Sequence, residues 1–440
     1  MSTATFDGGI HPRYNKDRSS AEKIRPLPVP AQVVIPLSQH IGSPAKACVK
    51  KGDDVLMGQT IGEPGGFVSC PVHSSVSGTV LSVEPRPGAM GSPVESVVIE
   101  NDYAERLAPM EGLGDDWASA TIDQIKAAIS SAGIVGMGGA TFPTHVKLSP
   151  PSDKPIDTLI LNGAECEPYL TADHRLMLEH SDRIVIGMKI AAMALGASSL
   201  IVAVEENKPD AVEAMRKATS SESADVVSLA VKYSQGAEKQ TIDACLRRQV
   251  PSGGLPMDVG VVVLNVGTAA AIAAAVIEGR PPLERVVTVT GAAVSKPSNL
   301  LVRVGTPIGA AIEECEGDLE RTGKLIMGGP MMGFSQFSVE PPVTKGTSGI
   351  LLLEHKEINL REPDPCIRCG RCLRACPMKL VPTEIAAAAL KGTPDQISAA
   401  DVMDCVECGS CAHECPSRIP LVQQIRLGKA AVNAARQGKG

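Results

Sequence analysis

CIRCGRCLRACP, from Cys366 to Pro377, recurs as CVECGSCAHECP, from Cys405 to Pro416, and this pair of segments decides how the chain is read. Each reads C-x2-C-x2-C-x3-C-P, and each cysteine of the second follows its counterpart by 39 positions, so the region is an internal duplication. Two-residue gaps let one tight loop wrap three thiolates around a cubane, with backbone N–H groups pointed at its sulfides. Structural zinc takes two separated C-x2-C knuckles, not three cysteines in one loop followed by C-P. The spacing therefore predicts two [4Fe–4S] clusters and an electron-transfer role. The other five cysteines (Cys48, Cys70, Cys166, Cys245 and Cys315) are scattered, as free thiols in a reducing compartment are.

The fourth cysteine of each set sits on the helix leading away, and in two-cluster ferredoxins it ligates the other cluster. Cys366, Cys369, Cys372 and Cys415 are thus expected on one cluster, and Cys405, Cys408, Cys411 and Cys376 on the other.

Around this centre lie 440 residues, more than one hydrophobic core serves, which predicts several domains. A net charge of −7 and an aromatic content of 2% exclude a nucleic-acid partner, which needs a basic surface and stacking platforms. The opening residues are polar and carry no apolar signal core. The most apolar run, Val259 to Gly279, is broken by Asn265, Thr268 and glycines, and changes from β-branched to alanine-rich. It predicts a buried strand, a turn and a helix, not a bilayer span.

The fold class expected is multidomain α/β. Residues 1–32 form a polar arm, expected to lie on another surface. Residues 33–105 carry short strands separated by glycine turns and resemble the barrel-sandwich of biotinyl and lipoyl carriers. No lysine lies between Gly58 and Val80 to carry a swinging arm, so a docking or structural module is expected. Residues 118–280 alternate strands and helices, the pattern of an open parallel sheet. Residues 281–335 resemble a β-grasp module of the SLBB type. Residues 336–440 are assigned to the helical cluster domain.

In the α/β region GIVGMGGATFPTHVKL, Gly133 to Leu148, is an apolar run, a glycine cluster and an expected helix. Gly136, Gly138 and Gly139 let the backbone approach a phosphate, and Lys147 offers charge. The loop is neither G-x-G-x-x-G nor a Walker loop. DTLILNGAECEPYLTAD then ends a strand in Asn162, Glu165, Cys166 and Glu167, where open α/β sheets bind ligands. KYSQGAEKQ supplies Tyr233, Gly236 and Glu238, and LNVGTAAA supplies Asn265, Gly267 and Thr268.

Together these segments resemble the flavin- and NADH-binding subunit of respiratory complex I. With FDGGIHP (Phe6 to Pro12), VPSGGLP and TKGTSGI added, the chain is more similar still to the C subunits of Rnf complexes, the membrane-bound ferredoxin:NAD oxidoreductases that pump sodium or protons. The resemblance runs from Phe6 to about Pro420. It implies FMN cradled by Gly136, Gly138, Gly139 and Lys147 and held by Asn162, Asn265 and Thr268. Glu165 and Glu167 would line the nicotinamide side as the catalytic pair, and Tyr233, Gly236 and Glu238 would close the pocket. Thr141, Ala164 and Ala237 depart from the complex I pattern, which has a glycine and two acids there. The resemblance further implies other subunits of an Rnf-type complex as partners, NADH as substrate, ferredoxin as an indirect partner, and a peripheral place on the cytoplasmic face without bilayer insertion. The arm and the barrel module, left without a chemical task, are expected to dock there.

Two other readings remain open at the level of sequence: a cobalamin reductase of the propanediol-utilisation type, and a non-catalytic electron wire or scaffold. Cys166 lies between carboxylates, which raise a thiol pKa and disfavour a nucleophile. His73 reads as structural, His145 as a core or solvated residue, and Lys345 and Ser348 as ligand contacts or a turn.

Overall fold

A computed structural model describes residues 3–437. Strands Gln32–Pro36, Pro93–Asn101, Gly78–Pro87 and Asp54–Val55 pair in that order in an antiparallel sheet. A second sheet of Lys46–Ala47, Thr60–Glu63 and Val72–His73 shares its core. Alternation turns Val33, Ile35, Val97 and Ile99 inward against Ile61 and Val72, as a two-residue side-chain period requires.

The flavin-type unit is a parallel sheet ordered Ala224–Leu229, Ser199–Glu205, Thr158–Gly163, Val261–Asn265. Its inner strand Thr158–Gly163 and the neighbouring Ser199–Glu205 and Val261–Asn265 carry continuous apolar runs because both faces are covered, whereas the edge strand Ala224–Leu229 includes Asp225 and Ser228. Leu159, Leu161, Val202, Val204, Val262 and Leu264 pack under the helices Ile122–Ser131, Ser181–Leu195 and Val266–Glu278. The alternate residues Ile160, Ile201, Val261 and Val263 face the helix Glu238–Leu246 on the other side. The apolar run from Val259 folds as expected, into a strand that ends at Asn265 and the helix Val266–Glu278. Among the described residues no helix is long and apolar enough to cross a membrane. Between Ala172 and Leu195 the chain forms two helices, Ala172–Glu179 and Ser181–Leu195, broken where His180 leaves helical geometry at φ −136°.

The third sheet corrects an expected boundary. Its order is Ile24–Pro26, Ser298–Arg303, Glu284–Thr290, Gly349–Glu354, Thr322–Met327, Phe334–Gln336. Gly349–Glu354, expected in the cluster domain, lies in the middle of this sheet, with Ile350, Leu351 and Leu352 fully buried. The cluster domain proper follows it as short helices gathered on Leu421–Gln437 through Ile385, Ile397, Val402 and Ile425.

The N-terminal arm is the second correction. It is no free docking tail but a strap laid over three units of its own chain. Phe6 and Ile10 are 3% and 5% exposed. Ile10 exchanges backbone hydrogen bonds with Tyr233 at 2.7 and 2.9 Å, and the Gly9 amide donates to the Ala375 carbonyl at 3.1 Å. A β-carbon on Gly8, at φ +82°, would stand 2.8 Å from the Cys376 carbonyl oxygen, so only glycine allows this approach. The Lys16 ammonium donates to the carbonyls of Glu165, Glu167 and Leu170 at 2.8, 2.8 and 2.5 Å. Ile24–Pro26 finally adds an edge strand to the third sheet. A polar composition conceals all of this, because the strap is held largely through backbone and ammonium hydrogen bonds.

Phe6→Ala empties a buried aromatic site and should remove about 3 kcal/mol. The urea midpoint for loss of visible cluster absorbance is expected to fall. An unchanged midpoint would mean that the strap holds nothing.

Candidate flavin crevice and cysteine centre

A parallel sheet whose strand order reverses leaves a crevice beyond the carboxyl ends of the two strands at the reversal. Here those strands are Thr158–Gly163 and Val261–Asn265, and their last paired residues are Asn162 and Asn265, directly opposite each other. Asn265 caps the helix Val266–Glu278, its Oδ1 accepting from the Gly267 amide at 2.8 Å, while its Nδ2 donates to Asp173 at 2.6 Å. Asn162 donates to the Gly236 carbonyl at 2.7 Å and accepts from the Ala164 amide at 3.1 Å.

The glycine loop overhangs this crevice. Met137 fastens it: its amide donates to Thr268 Oγ1 at 2.9 Å, and its carbonyl accepts from the buried Arg285 guanidinium at 2.5 Å. Beyond that anchor Gly138, Gly139 and Ala140 are exposed. Among the described residues their three successive amides donate to no protein acceptor. Gly139 has φ +110° with open space beside it, and a β-carbon on Gly138 would press on Asn265 at 3.2 Å. A run of free amides in this conformation is an anion nest, and the start of Val266–Glu278 adds the positive end of a helix dipole. The expected helix after the loop is a single turn, Thr144–Lys147, so the donors come from the loop itself. The residues present thus fit a phosphate-bearing flavin.

The remaining site residues have definite places. Lys147 and Glu238 pair with each other at 2.5 Å. Glu165 accepts from the amides of Asp173 and His174 at 2.7 and 3.2 Å and so caps the helix Ala172–Glu179. Glu167 accepts from the amides of Met331 and Met332 at 3.2 and 2.8 Å, and burial pushes its carboxyl up to about 7. Glu165 thus braces a helix start and Glu167 a turn, where the resemblance implies a catalytic pair lining the nicotinamide side. Burial pushes the Cys166 thiol far up, so it is no nucleophile. Its sulfur accepts from the Gly236 amide at 3.2 Å. Tyr233 is 1% exposed and does not close a pocket mouth. Its hydroxyl donates to the Cys408 carbonyl at 2.6 Å, joining the flavin-type unit to the cysteine domain. Lys345, in the KGTSG loop, is buried and donates to the Pro71 and Gly133 carbonyls at 3.1 and 2.8 Å, which makes it a structural tie. Asp173, half-buried and bonded to Asn265, and Arg285, buried and bonded to Met137, are not singled out by sequence reasoning. Arg285, a lone arginine in the apolar strand ERVVTVT, is the available signal.

In the cysteine domain Cys376, Cys405, Cys408 and Cys411 line one cavity, walled also by Ile385 and Ile425. Burial, and then the neighbouring thiols, raise Cys405 to about 11 and Cys411 to about 12. Cys372 has Cys415 and Cys366 as its thiol neighbours. Amides of Arg368, Glu407 and Leu380 donate to the sulfurs of Cys366, Cys405 and Cys376, each at 3.4 Å. Soft thiolates in an apolar cavity, with N–H donors aimed at sulfur, suit iron–sulfur clusters.

A flavin-type α/β unit joined to a dicluster domain defines a class of electron-transfer protein, and comparison with known proteins narrows it. Residues 4–104 match the RnfC barrel sandwich hybrid domain, 129–274 the Nuo51 FMN-binding domain, 286–335 the SLBB domain and 358–424 a 4Fe-4S dicluster domain. The C subunit of the Na(+)-translocating ferredoxin:NAD(+) oxidoreductase complex of Acetobacterium woodii is 49% identical, over 98% of each chain. Its proton-translocating counterpart from Clostridium ljungdahlii is 46% identical over 98% of this chain and 94% of that one. The C subunit of the ion-translocating oxidoreductase complex of Rhodobacter capsulatus is 41% identical over 100% and 85%. An NAD+-reducing [NiFe]-hydrogenase structure shares the fold, with a TM-score of 0.50 at 19% identity over 75% of this chain and 69% of that one. The chain belongs to the RnfC family, the C subunits of ion-translocating oxidoreductase complexes, and the cofactors of its two redox domains are FMN and [4Fe–4S] clusters.

Cys376→Ser should damage the cluster held with Cys405, Cys408 and Cys411. If electron paramagnetic resonance shows loss of only the other cluster, the crossed grouping is wrong. Glu167 has a folded pKa raised from 4.5 to about 7, so the native state binds the extra proton and stability falls as pH rises across that window. Glu167→Gln should flatten the dependence of the denaturation midpoint between about pH 4.5 and 7, and a slope equal to the parent's would refute this assignment.

Proposed function

We propose that this chain is the peripheral electron-exchange subunit of a membrane-bound, ion-pumping complex, passing electrons between NAD(H) and two [4Fe–4S] clusters through FMN. The observation that carries the reading is the free-amide loop over the Asn162–Asn265 crevice, in a unit tied through Tyr233 to the Cys408 loop. FMN, when bound, accepts a hydride's two electrons and releases them singly, which iron–sulfur clusters require. The side chains supply binding and orientation. Gly138, Gly139 and Ala140 receive the phosphate through their free amides, with the Lys147–Glu238 pair as a charged flank; Gly136, also expected in that role, gives its amide to the Phe142 carbonyl at 2.9 Å and closes the loop instead. Asn162, Asn265 and Thr268 hold the ring and ribityl side. Glu165 and Glu167 fix the loop along which the nicotinamide lies, and Gly236 and Tyr233 form the wall towards the clusters. Cys366, Cys369, Cys372 and Cys415 bind one cluster; Cys376, Cys405, Cys408 and Cys411 bind the other. The relatives, named as C subunits of oxidoreductase complexes, support attachment to partner subunits; in this reading the chain attaches at the cytoplasmic face, and the barrel-sandwich unit is the docking module.

Anaerobic purification should yield one non-covalent FMN per chain, released by acid into the supernatant, with iron and acid-labile sulfide for two cubanes. Flavin retained in the pellet, FAD in its place, or no flavin beside intact clusters would overturn the reading.

A further inference from the structure

The duplicated cysteine loops share one spacing, yet the fold treats them oppositely. In the second loop Cys408 and Ser410 are buried, Val406 packs with Tyr233 and Ile10, and Glu407 is neutralised by Arg426 and Lys429 at 2.8 and 2.7 Å. In the first loop the positions equivalent to Val406, Glu407, Ser410 and His413 are Ile367, Arg368, Arg371 and Arg374. Cys366, Cys369 and all three arginines are exposed. Ile367 is 67% exposed and Leu373 42%. Among the described residues none of the three arginines forms an ion pair, and no acidic residue lies between Pro365 and Met378. The nearest acid before the loop, Asp364, is taken by Arg418 at 2.7 Å. A chain of net charge −7 thus carries an unneutralised cationic ring with an apolar centre beside a cluster loop open to solvent.

We propose that the loop Cys366–Arg374 is the port at which electrons leave or enter the chain, and that it docks an acidic electron-transfer protein. Arg368, Arg371 and Arg374 steer and orient the partner, while Ile367 and Leu373 make the dry contact at the centre. Positive charges around a small apolar core raise the encounter rate with an acidic surface, and the effect is screened by salt. One electron crosses per encounter; the donor centre is oxidised by one and the acceptor reduced by one, with no bond or proton exchanged. The inward loop, sealed against Tyr233, faces the flavin side instead. This inference rests on the proposed cluster assignment and adds the partner's chemistry to it.

The test uses the full holoprotein and, as probe, a pre-reduced acidic plant-type ferredoxin in anaerobic stopped flow. The bimolecular rate constant should fall about tenfold or more from low to high salt. The R368E/R371E/R374E variant should be slowed at least about tenfold at low salt, and R216E/K217E, on a remote helix, should not be. Iron and sulfide are measured on each variant. If the charge reversal costs a cluster, R368Q/R371Q/R374Q replaces it, and the salt series on the unmodified protein needs no variant. Missing clusters in the parent would undo the cluster assignment. Intact clusters with a salt-independent rate, equal slowing in the remote variant, faster reaction with basic cytochrome c at low salt, or arginine-dependent capture by phosphatidylglycerol vesicles would each overturn the docking port.

Discussion

Three carbonyl oxygens, those of Glu165, Glu167 and Leu170, converge on the ammonium of Lys16, and much of the molecule depends on that contact. The loop they belong to leaves the sheet at its central strand and has no ladder of its own. Lys208 grips it from the other side through the Ala164 carbonyl at 2.6 Å, balanced by Glu205 at 3.1 Å. A buried carbonyl without a donor costs roughly 1–3 kcal/mol, so two ammonium groups effectively prescribe the path of this loop. Burial lowers Lys16 to about 8, the mark of a cation retained for its hydrogen bonds. Because the loop is held, Glu165 can cap its helix and Glu167 can reach the Met331–Met332 turn.

That rigidity passes to the two redox regions. Ile10, Cys166, Tyr233, Ala375 and Cys408 form one small apolar cluster assembled from the strap, the flavin-type sheet and the cysteine domain. Hydrogen bonds around a cluster and its exclusion from solvent set its reduction potential. One loop of the duplicated pair is buried in this junction and the other faces water, so a repeated sequence acquires two different electrostatic surroundings.

What the sequence discloses follows the range of the interaction. Three of the four cysteines expected on each cluster stand within one loop, and their spacing is a local covalent fact. Asn162 and Asn265 end apolar runs, so their position at strand termini is readable, although their opposition across the sheet is not. Tyr233 reads as a pocket residue in sequence because its partner is a backbone carbonyl 175 residues away, and an acceptor carbonyl leaves no mark on residue identity. The same blindness hides Lys16. Gly349–Glu354 is an apolar run that fits any of the domains, and only its pairing with Glu284–Thr290 and Thr322–Met327 assigns it. Arg285 is legible after the fact, since an arginine in a buried strand demands a partner, but nothing in sequence names Met137 as that partner.

The strap also imposes an order on biosynthesis. Its residues are translated well before the segments they pair with, since Ile10 needs Tyr233, Gly9 needs Ala375, and Ile24–Pro26 needs the strand Ser298–Arg303. At about 5–20 residues per second, roughly 20–75 s separate translation of the strap from that of Ala375. The strap is therefore seated only after segments translated later than it, and its polar composition, which hides its role, suits it to wait in water.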